Sequence, residues 1–228
     1  MIRRVAFLIY LLWAAPAFSQ EFGLSFSYFV PKNGEFSTPV SPFSLRGVGL
    51  DLSRNLSVQT GVSVYRMAGL NISGLPFTST KSLAGPNLTV FVPGEVVFRL
   101  PGKRVEFDVK GGGFVYNGFF QKLNMGNFDE AVRLHRDWLL ANGSLSARSR
   151  PGVGWMAGVQ FSVDVTRQWG ISLEVNYLAG SSPLPLTGVY RGVDSNLSIQ
   201  QFDAGFPKAR LDLTGWEFSI GVHTVGRK

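Results

Sequence analysis

The chain has 228 residues, of which 45% are hydrophobic and only 16% are charged, and it contains 27 glycines, 19 phenylalanines and no cysteine. The charged fraction is well below the ~25% usual in soluble domains, which argues against long solvated helices and disorder. The lack of cysteine excludes a disulfide framework and thiolate metal sites. Two histidines, His135 and His223, offer little for an imidazole centre, so we expect no metal and no cofactor. The net charge of +7 includes no dense Lys/Arg block, so we expect no nucleic-acid partner.

The first segment has the three parts of a secretory signal peptide. Residues 1–4 include Arg3 and Arg4, residues 5–13 are apolar, and residues 14–19 are rich in small side chains. An N-terminal membrane anchor is the alternative, but the uncharged run is shorter than the ~20 residues of a spanning helix. We predict a signal peptide at residues 1–19 and a single domain at residues 20–228.

The rest of the chain alternates apolar and polar residues with a period of two, which is typical of strands with one apolar face. The pattern is clearest where Trp169, Ile171 and Leu173 alternate with Gly170 and Ser172. Eight such segments follow one another, at about residues 22–28, 48–52, 56–64, 88–99, 105–110, 155–165, 169–177 and 211–225.

The connections alternate in length. Short turns fall at residues 53–55, at 101–102 and around 167, and long loops cover about 31–42, 67–86, 117–153 and 181–210. This alternation and the even strand count are typical of a bacterial outer-membrane barrel. A soluble sandwich also has short alternating strands, but here the polar faces are mostly Gly and Ser with isolated carboxylates, which suits a narrow lumen filled by side chains. We predict an all-β fold: an eight-stranded antiparallel up-and-down transmembrane β-barrel with short periplasmic turns and long extracellular loops.

The last strand carries Gly215, Phe218 and Ile220 in a Gly-x-x-aromatic-x-apolar pattern, although the chain ends at Lys228 without a terminal aromatic residue. Over essentially its whole mature length, the chain resembles the small eight-stranded outer-membrane β-barrel superfamily, the type formed by the transmembrane domain of outer membrane protein A and its single-domain relatives. The resemblance implies a multi-pass barrel in the outer membrane of a Gram-negative bacterium, with both termini in the periplasm.

Strand parity directs seven acids and two bases into the lumen. A hairpin turn at Pro101-Gly102 would place Glu95 opposite Asp108. We expect a charge cluster that fills and stiffens the lumen; a path for protons or small ions is the alternative. The predicted lumen cluster comprises Asp51, Glu95, Arg99, Glu106, Asp108, Lys110, Asp164, Glu174 and Glu217.

Basic residues gather at the predicted periplasmic rim, where they can snorkel to lipid phosphates or dock an acidic partner. They are Arg54, Lys103, Arg104, Arg167, Arg227 and Lys228.

The third long loop contains a predicted amphipathic helix over residues 128–141, capped by Asn127 and ending near Asn142-Gly143. It either packs on other loops over the barrel mouth or contacts lipopolysaccharide or a protein. The candidate contact residues are Arg133, Arg136, Trp138, Arg148 and Arg150. Prolines in the fourth loop indicate a restrained segment that is not helical.

These features predict a non-enzymatic barrel with a plugged lumen. It would act through its surface loops, either as a binding protein or as an accessory subunit of an envelope complex. A secretion complex is one such complex. Its expected partners are outer-membrane lipid, lipopolysaccharide and a protein of that complex. A narrow channel for protons, ions or small solutes is the alternative. A surface lipid-modifying enzyme built around His135 is a third hypothesis, but no nucleophile–base arrangement is recognisable near it.

Overall fold

The structure, a computed structural model, describes residues 23–34 and 40–225. The predicted signal peptide at residues 1–19 and the rim residues Arg227 and Lys228 lie outside the described residues. The elements in chain order are β1 (Gly23–Pro31), β2 (Val40–Asp51), β3 (Leu56–Met67), β4 (Ile72–Ser73), β5 (Asn87–Pro101), β6 (Val105–Phe119), α1 (Met125–Arg136), β7 (Leu140–Ala147), β8 (Gly152–Asp164), β9 (Trp169–Pro183), β10 (Leu186–Val193), β11 (Ile199–Phe206), β12 (Arg210–Asp212) and β13 (Gly215–Thr224).

Eight antiparallel strands form a closed barrel, as the sequence predicts. Their order is β1, β2, β3, β5, β6, β8, β9 and β13, and β13 returns to pair with β1 along its whole length, from Gly23 opposite His223 to Pro31 opposite Gly215. Closure leaves the barrel wall without an edge strand, so backbone groups on every wall strand have partners on both sides. Short turns join the strands at one end, the turn end, and long segments join them at the other, the loop end.

The outer wall of the barrel is a continuous apolar belt. Along β5 the outward side chains of Val92, Val96, Phe98 and Leu100 are between 40% and 50% exposed, while the intervening residues face inward. From Leu88 to Leu100 the belt covers about 30 Å along the barrel axis, allowing for strand tilt. Every wall strand carries exposed apolar side chains, and a surface of this kind fits the acyl chains of a bilayer.

An aromatic cluster lies on this wall toward the loop end. The Tyr177 ring is 5.8 Å from that of Trp155 and 5.0 Å from that of Trp216, measured between ring centroids. Such rings are typical of the membrane–water interface.

Among the described residues, no helix has the length and apolar character needed to cross a bilayer.

The long segments at the loop end fold into a compact structure that we call the cap. Strands β7, β10 and β11 form a separate three-stranded sheet with β10 in the middle. Helix α1 packs against β7, and residues 75–84 of the second loop pack beside α1. The β4–β12 pair joins the barrel wall to the cap through β9.

The predicted helix of the third loop exists, but its bounds were wrong. Helix α1 begins at Met125 and ends at Arg136, and Asn124 takes the N-cap position that we assigned to Asn127. Asp137 ends the helix with φ 53°, five residues before Asn142. The reason is tertiary: residues 140–147 pair with β10 and are drawn into a strand. The fourth loop is not helical, as predicted, and supplies the β10–β11 hairpin.

Two substitutions test the position of the belt. Val96→Arg places a charge on the lipid face well inside the bilayer and should lower the free energy of unfolding by about 2–4 kcal/mol. Leu52→Arg, at the turn end, should cost about 0–1 kcal/mol because the charge reaches the interface. Urea unfolding in lipid vesicles measures both, and equal costs would show that the belt is misplaced.

Candidate functional site in the lumen and cap

Charged side chains fill the half of the lumen nearest the turn end. There Arg99 lies 3.2 Å from Glu106, 3.7 Å from Asp51 and 3.9 Å from Asp108, each measured between a guanidinium nitrogen and a carboxylate oxygen. One arginine therefore neutralises part of a three-carboxylate group contributed by β2 and β6.

A second, deeper tier is centred on Glu217, whose side chain is fully buried. Its carboxylate accepts hydrogen bonds from Arg46 at 2.7 Å, from Asn176 at 2.7 Å and from the Tyr65 hydroxyl. The same Asn176 amide donates to Glu174 at 2.7 Å. Side chains from four strands thus take part in hydrogen bonds to the Glu217 and Glu174 carboxylates, which share the Asn176 amide. A buried charge requires hydrogen-bond partners of this kind.

Glu174 extends this tier to Lys110, whose ammonium is 3.4 Å from the Glu174 carboxylate and 2.5 Å from the Gln160 side-chain oxygen. Nearby, His223 lies 3.9 Å from Asp164 at the turn end. The structure therefore brings the predicted lumen residues to the inside of the barrel. Glu95 is among them and is 4% exposed.

The predicted register of the β5–β6 hairpin was wrong. Asp108 lies opposite Arg99, and Glu95 lies opposite Gly112. Pro101 continues the strand, opposite Glu106, so the turn is centred on residues 103–104 instead of 101–102. The shift is an even number of residues, so every side chain keeps its predicted face.

Sequence reasoning missed Arg46, the cation that neutralises Glu217. The β2–β3 register slips between Leu45 and Val48, and Gly47 has φ 77°, a backbone conformation that glycine tolerates best. This bulge reverses the parity of β2, so that both Arg46 and Asp51 reach the lumen. The Gly47 and Gly49 pair in the sequence was the available signal.

A small cavity of about 40 Å³ lies between the two tiers and opens toward the turn end. Its walls include both Arg46 and Arg99, together with Asp108 and Glu174. A polar space of that size can hold a small number of water molecules bridging these groups.

An apolar plug closes the lumen above this cavity. The Phe91 and Phe114 rings lie 4.8 Å apart and are almost completely buried. Gly154 and Gly180 leave room for the Phe114 ring, since a Cβ at either position would come within 2.4 Å or 2.7 Å of Phe114 Cζ. The Arg46 guanidinium lies 5.6 Å from the Phe91 ring centroid, so the charged tier ends directly against the plug.

The plug and the cap belong to one apolar cluster. Buried members include Phe91 and Phe114 in the barrel and Phe128, Val132 and Tyr190 in the cap. The loop end is therefore a packed structure over the barrel mouth, with α1 inside it.

A single carboxylate ties α1 to the cap sheet. Asp129 accepts a hydrogen bond of 2.9 Å from the backbone N–H of Gly143 in β7. Burial raises the pKa of Asp129, and the bond from Gly143 offsets part of this effect. Burial, reinforced by the charge of Asp129, also raises the pKa of Tyr190 beside it.

The five predicted loop-contact residues do not form one surface. The Arg136 guanidinium stacks 4.5 Å from the Phe202 ring centroid, and Trp138 packs against the same ring at 5.9 Å. Trp138 is half-buried, and Arg133 lies nearby on α1. Arg148 and Arg150 lie past the opposite end of β7, beside the barrel rim, where their backbone N–H groups bond to residues 185 and 183.

The cap tip, farthest from the barrel, exposes apolar side chains that sequence reasoning missed. Leu139, Leu140, Leu197 and Ile199 are 51%, 66%, 77% and 82% exposed. Leu140, Val193 and Ile199 form one cross-strand row on the outer face of the sheet. The rows nearer the barrel carry mainly polar residues such as Asn142, Arg191 and Gln201.

A groove of about 520 Å³ separates α1 from residues 75–81. The Lys81–Glu130 ion pair, at 2.7 Å, spans it. His135 lines it and packs on the Phe77 ring at 5.9 Å.

No protein-family model matches the sequence, and no curated protein matches it. Among solved structures the chain is similar to outer membrane protein OprG from Pseudomonas aeruginosa, with a TM-score of 0.57 and 12% identity over 90% of this chain and 95% of that one. It also matches a major outer membrane protein from Thermus thermophilus, with a TM-score of 0.48 and 11% identity over 90% and 98%. The match to Ail, the attachment invasion locus protein of Yersinia pestis, has a TM-score of 0.42 and 8% identity over 90% of this chain and 96% of that one. The likeness to OprG shows a shared fold.

The Glu217 tier predicts strong coupling in a double-mutant cycle. Glu217→Leu alone should cost about 3–5 kcal/mol of unfolding free energy because it leaves Arg46 buried without its carboxylate. Adding Arg46→Met should recover most of that loss. Urea unfolding in lipid vesicles measures the cycle, and additive costs would mean that the two side chains do not interact.

The Asp129 contact predicts pH-dependent docking of α1. A carboxyl whose pKa is raised by folding favours the folded state most when protonated, so docking should weaken as the pH rises above about 4, the ordinary aspartate pKa. Asp129→Asn keeps an acceptor for Gly143 but cannot ionise, so this dependence should disappear. Hydrogen exchange of the α1 amides, corrected for intrinsic rates, provides the measurement. An unchanged pH profile in the asparagine variant would contradict the assignment.

Proposed function

We propose that this outer-membrane barrel is a non-enzymatic binding protein that acts through its cap, alone or as an accessory subunit of an envelope complex. The eight-stranded fold and the apolar belt support a location in the outer membrane of a Gram-negative bacterium, with the turn end in the periplasm and the cap outside. The observation that carries the proposal is the packing of the cap, whose helix and sheet share one apolar cluster with the plug. The loops therefore form a rigid platform of the kind that holds binding residues.

The cap tip is the surface we assign to a protein partner. Large side chains such as Leu197 and Ile199 are the most exposed apolar groups there, and they stand at the end of a sheet whose packing fixes their position. A cluster of this kind, rimmed by polar residues, is typical of interaction sites. Arg136 lies on the other face of the same sheet, over Phe202.

The base of the cap suits a different contact. Arg148 and Arg150 have exposed side chains beside the barrel rim, at the height of the lipopolysaccharide head groups. Arginine pairs well with phosphate. We therefore assign these two residues to lipopolysaccharide and the tip to protein.

A narrow channel is the second candidate, and the polar half of the lumen favours it. Its cavity of about 40 Å³ opens toward the turn end. A conducting path would have to pass between Phe91 and Phe114, whose rings are 4.8 Å apart. The plug therefore favours the binding role.

Site-specific crosslinking in intact cells tests the tip. A photoreactive residue at Ile199 should give a discrete protein adduct. The same residue at Gly205, on the same outer face of β11 but near the barrel, should not. The double variant Leu197→Ser with Ile199→Ser should also lose the partner when the barrel is purified under mild detergent. Adducts of equal yield at both positions, or none at Ile199, would contradict the proposal.

A further inference from the structure

The turn end carries a groove on its outer surface between two adjacent turns. It has a volume of about 510 Å³. One wall is the β2–β3 turn with Arg54 and Asn55, and the other is the β5–β6 hairpin around Gly102. The lining side chains that matter are Arg54, Asn55, Leu100, Val105 and Phe107.

The floor of this groove is apolar and continuous with the belt. Leu100, Val105 and Phe107 face outward and are 49%, 41% and 38% exposed. Leu100 and Phe107 lie opposite each other across β5 and β6. A chain of methylene groups lying on this floor would run directly onto the lipid-facing wall.

The part of the groove formed by the two turns is cationic. Arg54 lines the groove, and Lys103 and Arg104 are the central residues of the adjacent hairpin turn; all three are exposed. Within the described part of the chain none of the three forms an ion pair. The acidic residues Asp51 and Glu106 at the turn end face the lumen instead of the groove, and there they contact Arg99.

Hydrogen bonds hold the two walls at a fixed distance. The Asn55 side chain donates to the Arg99 carbonyl at 2.8 Å, and the Arg99 N–H donates to the Asn55 carbonyl at 2.8 Å. The Gly102 N–H closes the hairpin turn onto the Val105 carbonyl at 2.8 Å. The groove is thus formed before anything binds, which lowers the ordering cost of binding.

We propose that this groove binds one anionic phospholipid of the periplasmic leaflet, with the phosphate at Arg54 and an acyl chain on Leu100, Val105 and Phe107. Uncompensated cations above an apolar floor, at the membrane interface, match the two parts of such a molecule. Free inorganic phosphate would use the cations but not the floor. This inference depends on the barrel spanning the membrane and is independent of what the cap binds.

Native mass spectrometry of the purified full-length barrel in detergent tests the proposal, with dioleoyl phosphatidylglycerol and dioleoyl phosphatidylcholine as probes. The wild type should retain one phosphatidylglycerol in preference to phosphatidylcholine. Arg54→Gln should bind phosphatidylglycerol about fivefold more weakly, the effect of about one interfacial cation, with phosphatidylcholine little changed. Arg167→Gln is the matched control, since it removes a cation from the β8–β9 turn, outside the groove. It should leave binding unchanged.

Two further measurements distinguish binding of the whole phospholipid from binding of its phosphate alone. Phe107→Ser should weaken both lipids, and inorganic phosphate should fail to displace phosphatidylglycerol from the wild type. The proposal is overturned if Arg54→Gln retains phosphatidylglycerol as the wild type does, if Arg167→Gln loses it equally, or if inorganic phosphate displaces it. Arg54 is an exposed turn residue, so its variant should fold, and heat-dependent mobility on a gel verifies that before each measurement.

Discussion

Pairing of backbone groups across the β1–β13 seam is the constraint on which the rest of this molecule depends. A strand that faces lipid cannot leave N–H or C=O groups unpaired, and only a closed sheet meets that condition with β-structure. Closure with eight strands also fixes a narrow interior that side chains must fill. The abundant small residues on the inward faces, and the glycines around Phe114, follow from this limited space.

The interior is divided into two chemically different halves. Toward the turn end, carboxylates meet Arg99, Arg46 and Lys110 in tiers where most charges have a direct partner. Toward the loop end, aromatic and aliphatic side chains form the shared apolar cluster, and the polar groups beside it, Asn87, Thr89 and the Tyr116 hydroxyl, bond to one another. Burying charge costs free energy unless each group is paired. The polar tiers accordingly lie on the side of the plug that has the cavity. Arg46 marks the boundary, where its guanidinium meets the Phe91 ring.

The alternation of residues was sufficient to predict the wall of the barrel and the inward direction of its acids. Parity is a local property, so Glu95, Asp108 and Glu217 could be placed without knowing any pairing partner. It failed at Arg46, because a bulge at Gly47 inserts a residue and reverses the faces. Pairing was harder still: the position of the hairpin turn depended on whether Pro101 ended the strand or continued it.

The cap was the least predictable part because its strands exist only through one another. Residues 140–147 contain no β-branched or aromatic side chain and become a strand by pairing with β10. The exposed tip follows from that pairing as well, since Leu140 and Ile199 meet in space only across Val193. Of the predicted contact residues, Trp138 mainly packs against Phe202. The amphipathic sequence around it could not show whether its ring packs inside the cap or contacts a partner.

The shared apolar cluster of plug and cap has a consequence for how freely this protein can vary. Connecting loops generally tolerate insertions, deletions and sequence change better than the elements they join. Here an altered or shortened third loop would remove Phe128 and Val132 from that cluster and leave apolar side chains at the barrel mouth in contact with water. Variation should therefore concentrate at the few positions of the cap that face away from this cluster, and a graft of foreign sequence should succeed at the β10–β11 tip far more readily than within α1.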